Sequence, residues 1–167
     1  TVNILLNMGA NDSKNNNFRI LQQLISFKKK INKITLVLKK NAPHYKKILL
    51  LKRYFKSFNV IFFSNEKEFI NEYFKHNYFI GTAGLSSLER ISLSAYALTF
   101  SVSSNQYING EDIKLKKFGY YGGDINKISN MGIKLYLDKY LFTQKRNCKV
   151  LKTKFIDGNG AKRISKI

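Results

Sequence analysis

Short apolar runs alternate with amphipathic stretches along this chain, and that alternation constrains its fold more than any other sequence feature. The runs are rich in β-branched and aromatic residues, and they have the length and composition of strands that are buried on both faces. Five such runs occupy residues 2–8, 34–38, 60–63, 78–80 and 97–102.

Stretches with helical spacing lie between these runs, because their apolar residues recur at intervals of three and four. They are marked by Phe18, Leu21, Leu24, Ile25 and Ile31; by Ile48, Leu51, Tyr54 and Phe55 after Pro43; by Phe69, Ile70, Tyr73 and Phe74 after the capping candidates Ser64 and Asn65; and by residues 86–95. Strands that alternate with helices form βαβ units. The sequence therefore predicts an α/β fold, an open parallel sheet of five or six strands with helices on both faces.

The chain has the length of one domain, 167 residues, and beyond Gly122 and Gly123 its pattern weakens into helical stretches at 125–142 and 145–156. It begins at Thr1, directly inside an apolar run. We therefore expect it to be a domain excised from a longer protein.

The chain is strongly basic, with 30 lysines and arginines against 10 aspartates and glutamates. Most of the positive residues are lysines, and their doublets and triplets at 28–30, 39–40, 46–47 and 116–117 fall near the ends of predicted elements. A nucleic-acid reader more often concentrates arginine, lysine and aromatic residues on one face. The pattern favours solvated lysines over a nucleic-acid footprint, and it leaves room for an anionic ligand or an acidic partner domain.

Cysteine and histidine are scarce, since the sequence has only Cys148, His44 and His76. A single cysteine forms no intramolecular disulfide, which favours a reducing, cytoplasmic location. We expect both histidines at the surface, and we predict no metal site and no cofactor, because zinc-ligand spacings and the Walker A and dinucleotide-binding motifs are absent from the sequence. No apolar run approaches the ~20 residues that a membrane span needs.

Three loops that follow predicted strands are candidate ligand sites, because ligands of open parallel sheets bind beyond the carboxyl ends of the strands. The first loop contains Gly9, Asn11 and Asp12. Its small residues would let a ligand approach the backbone, while its polar residues would also suit a plain capped turn into the next helix. Both interpretations remain open from the residues alone.

The second loop leads into a helix through Gly84, Leu85, Ser86 and Ser87. A glycine followed by a helix start points backbone N–H groups at a phosphate, and serine hydroxyls add donors. Glu89 follows about one turn later, where a carboxylate suits a ribose diol rather than a phosphate. An ordinary capped helix with an acidic first turn explains the same residues equally well.

The third loop contains Asn105 and Gln106. Two neighbouring carboxamides offer both donors and acceptors, which suits sugar hydroxyls. They are also common residues of surface loops, and for this loop the plain interpretation is favoured.

Together these segments resemble a known family. NMGANDSKN at residues 7–15 resembles its M-G-G-x-D-x-x-N loop, NAPH at 41–44 its N-P-H/N segment, and GTAGLSSLER at 81–90 its G-x-A-G-S-T-x-W-E-R stretch. Asn105 and Gln106 match its N-Q pair, and DGNGAKRI at 157–164 resembles its terminal D-G-x-G-A-x-R-V signature. The family comprises nucleotide-sugar hydrolases, including the UDP-2,4-diacetamido-2,4,6-trideoxy-β-L-altropyranose hydrolase of pseudaminic acid biosynthesis, and related spore-coat polysaccharide proteins.

The resemblance covers essentially the whole chain in order. It implies that residues 1–167 form the Rossmann-like, nucleotide-sugar-binding C-terminal half of a GT-B-type enzyme. Its partners would be a UDP-sugar and an N-terminal domain that carries the catalytic histidine, so this chain alone would hold no catalytic residue and be inactive. The implied binding residues are Gly9, Asn11 and Asp12 beside the sugar nucleotide, Gly84, Leu85, Ser86 and Ser87 at the diphosphate, Glu89 at the ribose, and Asn105 and Gln106 at the sugar or its phosphate.

The leading expectation is therefore a UDP-sugar hydrolase that releases UDP from a diacetamido-trideoxy hexose for pseudaminic acid or surface polysaccharide. A GT-B glycosyltransferase that uses a nucleotide sugar is the first alternative. A non-catalytic basic module that binds nucleic acid or an acidic partner is the second.

Overall fold

Six parallel strands form one open sheet in the order β3-β2-β1-β4-β5-β6. The computed structural model describes residues 1–62, 71–72, 74–92, 96–143 and 159. The strands are β1 (Val2–Asn7), β2 (Ile31–Leu38), β3 (Phe58–Phe62), β4 (Tyr78–Thr82), β5 (Tyr96–Ser101) and β6 (Tyr120–Asp124). This α/β sheet with helices around it is Rossmann-like, as the alternation of the sequence predicts.

Helices pack on both faces of the sheet. They are α1 (Asn16–Leu24), α2 (Tyr45–Leu49), α3 (Leu85–Ser92), α4 (Tyr107–Leu115) and α5 (Asn130–Leu137), with 3-10 turns at Ile25–Lys30, Lys52–Tyr54 and Ser104–Gln106 and a π-helical segment at Asp138–Thr143. No helix in the described part of the chain is long and apolar enough to cross a membrane.

The core has two layers because side chains alternate across the sheet. Ile4 and Leu6 of β1 belong to the larger layer, which includes residues of α1, α2 and α5. Leu5, between them, belongs to the smaller layer with Ile91 of α3 and Ile113 of α4. All three β1 residues are fully buried, as expected for a central strand covered on both sides.

The five predicted strands are confirmed, and β6 is the sixth. The helical stretch predicted at 125–142 is confirmed by α5 and the π-helical segment, and the prediction missed only that both glycines themselves lie in β6. A Cβ on Gly122 would come within 2.5 Å of the Phe100 ring, and Gly123 has a φ of +84°. Gly122 lets the edge strand pass close to β5, and Gly123 permits the left-handed φ. Neither glycine has the apolar side chain that marks a strand in the sequence.

The first, second and fourth predicted helices form, although with different limits. The first stretch ends as α1 and continues as a 3-10 turn, and Ile31 belongs to β2. The second is broken into α2 and a 3-10 turn, and α3 accounts for the fourth. The predicted third helix with its caps falls almost entirely outside the described residues, as do the stretch at 145–156 and the segment at 157–164 apart from Asn159.

A buried polar cluster lies before β4. Glu72 accepts hydrogen bonds from Lys33 at 2.8 Å, Lys75 at 2.9 Å and the Thr35 hydroxyl at 3.2 Å. The Nδ1 atom of His76 lies 2.7 Å from the carbonyl oxygen of Glu72. His76 is only 4% exposed, so the prediction of a surface histidine is wrong here. Its immediate neighbours along the chain, Lys75 and Asn77, are polar, so the sequence does not indicate its burial.

We expect acidification to destabilise the fold in two stages. Burial lowers the pKa of His76 below 6.5, so stability that is present above pH 6.5 is lost as the pH falls below it, because the unfolded chain binds the proton more readily. Burial raises the pKa of Glu72, but hydrogen bonds from Lys33 and Lys75 outweigh it and lower that pKa from 4.5 to about 2. The second loss therefore falls between pH 4.5 and about 2.

Glu72→Gln tests the second stage. We expect it to lower the free energy of unfolding at neutral pH by about 1.5 kcal/mol, because it replaces charge-assisted hydrogen bonds with neutral ones. Urea unfolding followed from about pH 8 to about pH 3 measures both stages. A variant that keeps the full loss of stability below pH 4.5 would show that Glu72 does not cause it.

Candidate functional site

The strand order reverses between β1 and β4, which places a topological switch point at the centre of the sheet. The two strands run close together there. A Cβ on Gly81 would lie 2.6 Å from the carbonyl oxygen of Asn7, so only glycine lets β4 approach β1 in this way. The loops that follow β1, β4 and β5 leave the same edge of the sheet, and they are the three loops that the sequence predicts as ligand sites.

The loop after β1 turns sharply at its glycine. Gly9 has a φ of +101°, and its N–H donates to the Asn7 side-chain oxygen at 2.9 Å. Further along, the carbonyl oxygen of Ala10 accepts a hydrogen bond from the Lys39 N–H at 2.9 Å, which ties the loop to the end of β2. Asn11 is exposed at the tip of this turn. The loop is thus held in place at both sides of Asn11.

Asp12 caps α1 with its own carboxylate. Its two oxygens accept hydrogen bonds from the N–H groups of Asn16 and Asn17, each at 2.8 Å. Burial raises the pKa of this carboxyl, although both N–H groups favour its charged form. The positive end of α1 is therefore already occupied by a negative side chain, and it has no vacant N–H pair of this kind for a phosphate.

The loop after β4 leaves the start of α3 open. Among the described residues, the N–H groups of Leu85 and Ser86 donate no hydrogen bond. The hydroxyl of Ser87 is buried and donates to the carbonyl oxygen of Gly84 at 2.6 Å, and its N–H donates to the same oxygen at 3.1 Å. Ser87 therefore shapes the turn, while Leu85 and Ser86 present the donors.

The loop after β5 meets this turn through Gln106. Its side-chain oxygen accepts a hydrogen bond from the Val102 N–H at 3.0 Å, which fixes the orientation of the amide. Its Nε2 atom lies 3.8 Å from the position that a Cβ on Gly84 would occupy. Asn105 is exposed and accepts from the Ser103 hydroxyl at 2.6 Å, within its own loop. Gln106 thus adds a side-chain donor beside the open start of α3.

A small crevice joins the first and third loops. It has a volume of about 120 Å³ and is lined by Met8, Asp12, Ser13, Lys14, Asn16 and Val102. Ligand pockets have volumes of about 300–1,000 Å³, so this crevice has room for a phosphate or a sugar hydroxyl and not for a whole nucleotide. A larger ligand would lie along the open edge and place one group in the crevice.

The structure therefore brings part of the predicted site together. Gly84, Ser86 and Gln106 converge at the start of α3, and Asp12 lines the crevice in the neighbouring loop. Glu89 lies on α3 and is exposed, four residues after Leu85, which corresponds to about 6 Å along the helix axis. Gly9 shapes its loop, and Asn11 and Asn105 lie on the exposed parts of theirs.

Sequence reasoning missed a second set of polar residues at this edge. The Tyr107 hydroxyl donates to Asp124 at 2.8 Å, and this hydrogen bond is the main cause that lowers the pKa of the Asp124 carboxyl. The same carboxylate accepts from the backbone N–H and the side-chain amide of Asn126 at 2.9 Å. The sequence sign of this set is a carboxylate, Asp124, directly after two glycines. It indicates a site residue only once β6 is known to end there.

His44 also contacts the site. Its Nε2 atom lies 3.0 Å from the carbonyl oxygen of Ser13, so the start of α2 leans on the loop after β1. The sequence predicts a surface histidine here, and the structure shows a half-buried ring. This contact links the NAPH segment to the first ligand loop.

The chain matches no known family model, and no curated protein is significantly similar to it. The described residues contain no group of three or more histidine, cysteine, aspartate or glutamate side chains that could hold a metal ion. The features that indicate a function are the geometry of the carboxyl edge and the resemblance of the three loops to the nucleotide-sugar hydrolase motifs.

Proposed function

We propose that this chain is the nucleotide-binding half of a UDP-sugar hydrolase. The observation that carries the proposal is the convergence at α3, where two backbone N–H groups without acceptors among the described residues lie beside Gly84 and the Gln106 amide. The resemblance implies that a GT-B hydrolase of diacetamido-trideoxy hexoses binds the diphosphate of its substrate at this end of the sheet.

The diphosphate fits the start of α3 better than the start of α1. A helix N-terminus attracts an anion through its unpaired N–H groups and its dipole. At α1 the Asp12 carboxylate already satisfies those groups. At α3 no side chain does so among the described residues, and the Gly84 backbone is open to a ligand atom because the nearest side-chain atoms to a Cβ there lie 3.6 and 3.8 Å away.

The ribose would then lie along α3 toward Glu89. A carboxylate accepts two hydrogen bonds from a ribose diol. Glu89 lies one helical turn beyond the N–H groups proposed for the diphosphate, which matches the separation of ribose and diphosphate in a nucleotide. Lys14 at the crevice supplies a positive charge close to the same edge. The sugar would extend from the diphosphate toward the loops after β1 and β5.

In the reaction, water attacks the anomeric carbon and loses a proton to solvent, and the bond from that carbon to the diphosphate oxygen breaks. The electron pair leaves with UDP, so negative charge grows on the diphosphate. N–H donors that are already oriented stabilise this charge without rearranging, which lowers the barrier. This chain would hold and stabilise the leaving group, and the proposal assigns it no general base.

A glycosyltransferase of the same architecture would use the same nucleotide site. The two activities differ in the group that attacks the anomeric carbon, which is water in one and an acceptor hydroxyl in the other. Product analysis of the full-length protein with a UDP-sugar distinguishes them. Release of free sugar at an equal rate with and without acceptor supports the hydrolase, and sugar release that requires acceptor and yields a glycoside supports the transferase.

Glu89→Ala tests the nucleotide site. We expect it to weaken UDP binding about tenfold, because the ribose loses two hydrogen bonds to a charged group, while binding of inorganic pyrophosphate is unchanged. Isothermal titration calorimetry on the 167-residue chain measures both. Glu111→Ala, an exposed glutamate on α4, is the matched control. Equal UDP binding by the Glu89 variant and the native chain would remove the ribose assignment.

A further inference from the structure

A basic groove lies at the amino end of the edge strand β3, at the opposite end of the sheet from the ligand loops. It has a volume of about 500 Å³ and is lined by Leu49, Leu50, Lys52, Arg53, Phe55, Lys56 and Phe58. Four of these side chains are apolar, and the other three are positively charged and exposed. The groove therefore combines an apolar floor with a cationic rim.

No carboxylate balances this rim within the described part of the chain. Lys52, Arg53 and Lys56 make no ion pair there. The guanidinium of Arg53 contacts Tyr54 instead, by a 3.1 Å hydrogen bond to its hydroxyl and by lying 5.0 Å from its ring centroid. Three like charges on one short segment repel one another, and a bound anionic partner would reduce this repulsion.

The charged residues of the surrounding sequence are likewise all positive. Residues 13–65 contain no aspartate or glutamate and thirteen lysines and arginines, at positions 14, 19, 28, 29, 30, 33, 39, 40, 46, 47, 52, 53 and 56. The other seventeen of the 30 are at positions 66–167, together with nine of the 10 acidic residues. The carboxylates that would complement the rim are therefore not supplied by the segment that forms it.

We infer that this groove docks an acidic amphipathic helix of a partner protein. An apolar floor with a charged rim is the arrangement that receives such a helix, with apolar residues in the groove and carboxylates on the rim. Leu50 is 65% exposed and offers an apolar contact that no part of the described chain covers. The inference does not depend on the proposed nucleotide site.

The floor argues against nucleic acid as the occupant. Single-stranded nucleic acids bind through bases that stack on exposed aromatic faces. Phe55 is 8% exposed and Phe58 is 9% exposed, so neither ring offers a free face for stacking, and the accessible part of the apolar floor is Leu49 and Leu50.

The test uses a synthetic peptide of about 18 residues, which is five helical turns, with leucine and phenylalanine on one face and glutamate on the other. Fluorescence anisotropy measures its binding to the 167-residue chain. Lys52→Glu, Arg53→Glu and Lys56→Glu together should weaken binding about tenfold or more. The same number of reversals at Lys28, Lys29 and Lys127, which are exposed elsewhere, should change it about twofold at most.

A second pair of variants tests the apolar contact made by Leu50. Leu50→Ser should weaken binding about fivefold, and Leu135→Ser, which is equally exposed at 63% on α5, should leave it unchanged. Equal loss in the groove variants and their controls would overturn the proposal, because it would show attraction to net charge alone. Groove variants that lose binding to anionic vesicles or single-stranded RNA but keep peptide binding would overturn it as well.

Discussion

Arg90→Met is expected to lower the free energy of unfolding by about 2–4 kcal/mol. Arg90 lies on α3 and is completely buried, and its guanidinium donates to the carbonyl oxygen of His76 at 2.9 Å. The shorter, uncharged side chain leaves that buried carbonyl without its donor, which costs about 1–3 kcal/mol. It also leaves unfilled space where the guanidinium was, which adds to the loss.

Urea unfolding measures this change, with Arg53→Met as control. Arg53 is exposed, so the same substitution there should change stability by about 0.5 kcal/mol or less. Arg90→Lys gives a second measurement if the methionine variant does not fold, because it keeps the charge but cannot reach the carbonyl in the same geometry. Native stability in both Arg90 variants would mean that the buried guanidinium contributes nothing net to the fold.

The hydrogen bond from Arg90 to His76 also affects the position of the ligand loop after β4. Arg90 fastens the last turn of α3 to the chain just before β4, and α3 begins at Leu85, three residues after that strand ends. Both ends of the β4 segment are thereby fixed relative to the helix. The hydrogen bond therefore helps to set the position of α3, and with it the donors at its start, relative to β4.

The sheet could be predicted from the sequence because its central strands are covered on both faces. Such strands are continuous apolar runs, and a run needs no knowledge of its neighbours to be recognised. The edge strand β6 is half-exposed and contains Gly122 and Gly123, so it gives no such signal. The helix α4 was missed for a related reason, because Ile108 and Leu115 are 78% and 74% exposed and do not form one apolar stripe with Ile113.

The position of the candidate site could be predicted, but its internal hydrogen bonds could not. Gly84 and Gln106 follow adjacent parallel strands, so topology alone brings their loops together. Nothing in the sequence distinguishes Ser86, which carries an open N–H, from Ser87, whose hydroxyl turns inward. Asp12 likewise had two roles available, and the 2.8 Å distances to α1 identify it as a cap.

Gly84→Ala should weaken UDP binding about 30- to 100-fold while the fold keeps its stability within about 1 kcal/mol. A Cβ at this position meets Thr82 Oγ1 at 3.6 Å and Gln106 Nε2 at 3.8 Å, which are ordinary contacts, and Gly84 is not among the glycines with a positive φ. The folded chain alone therefore does not require glycine there. The added methyl would occupy the space between backbone and amide that the proposal gives to the diphosphate.

Two variants separate the causes of such a loss. Ser86→Ala keeps the backbone N–H and removes only a hydroxyl, so we expect a change of about threefold. Gly9→Ala meets open space but must adopt a φ of +101°, so it should lower stability by about 1 kcal/mol or more. Calorimetric titration with UDP and urea unfolding give the two quantities for each variant. If Gly84→Ala binds UDP as tightly as the native chain, the diphosphate does not lie at the start of α3, because a ligand that touches that backbone cannot share its space with a methyl group.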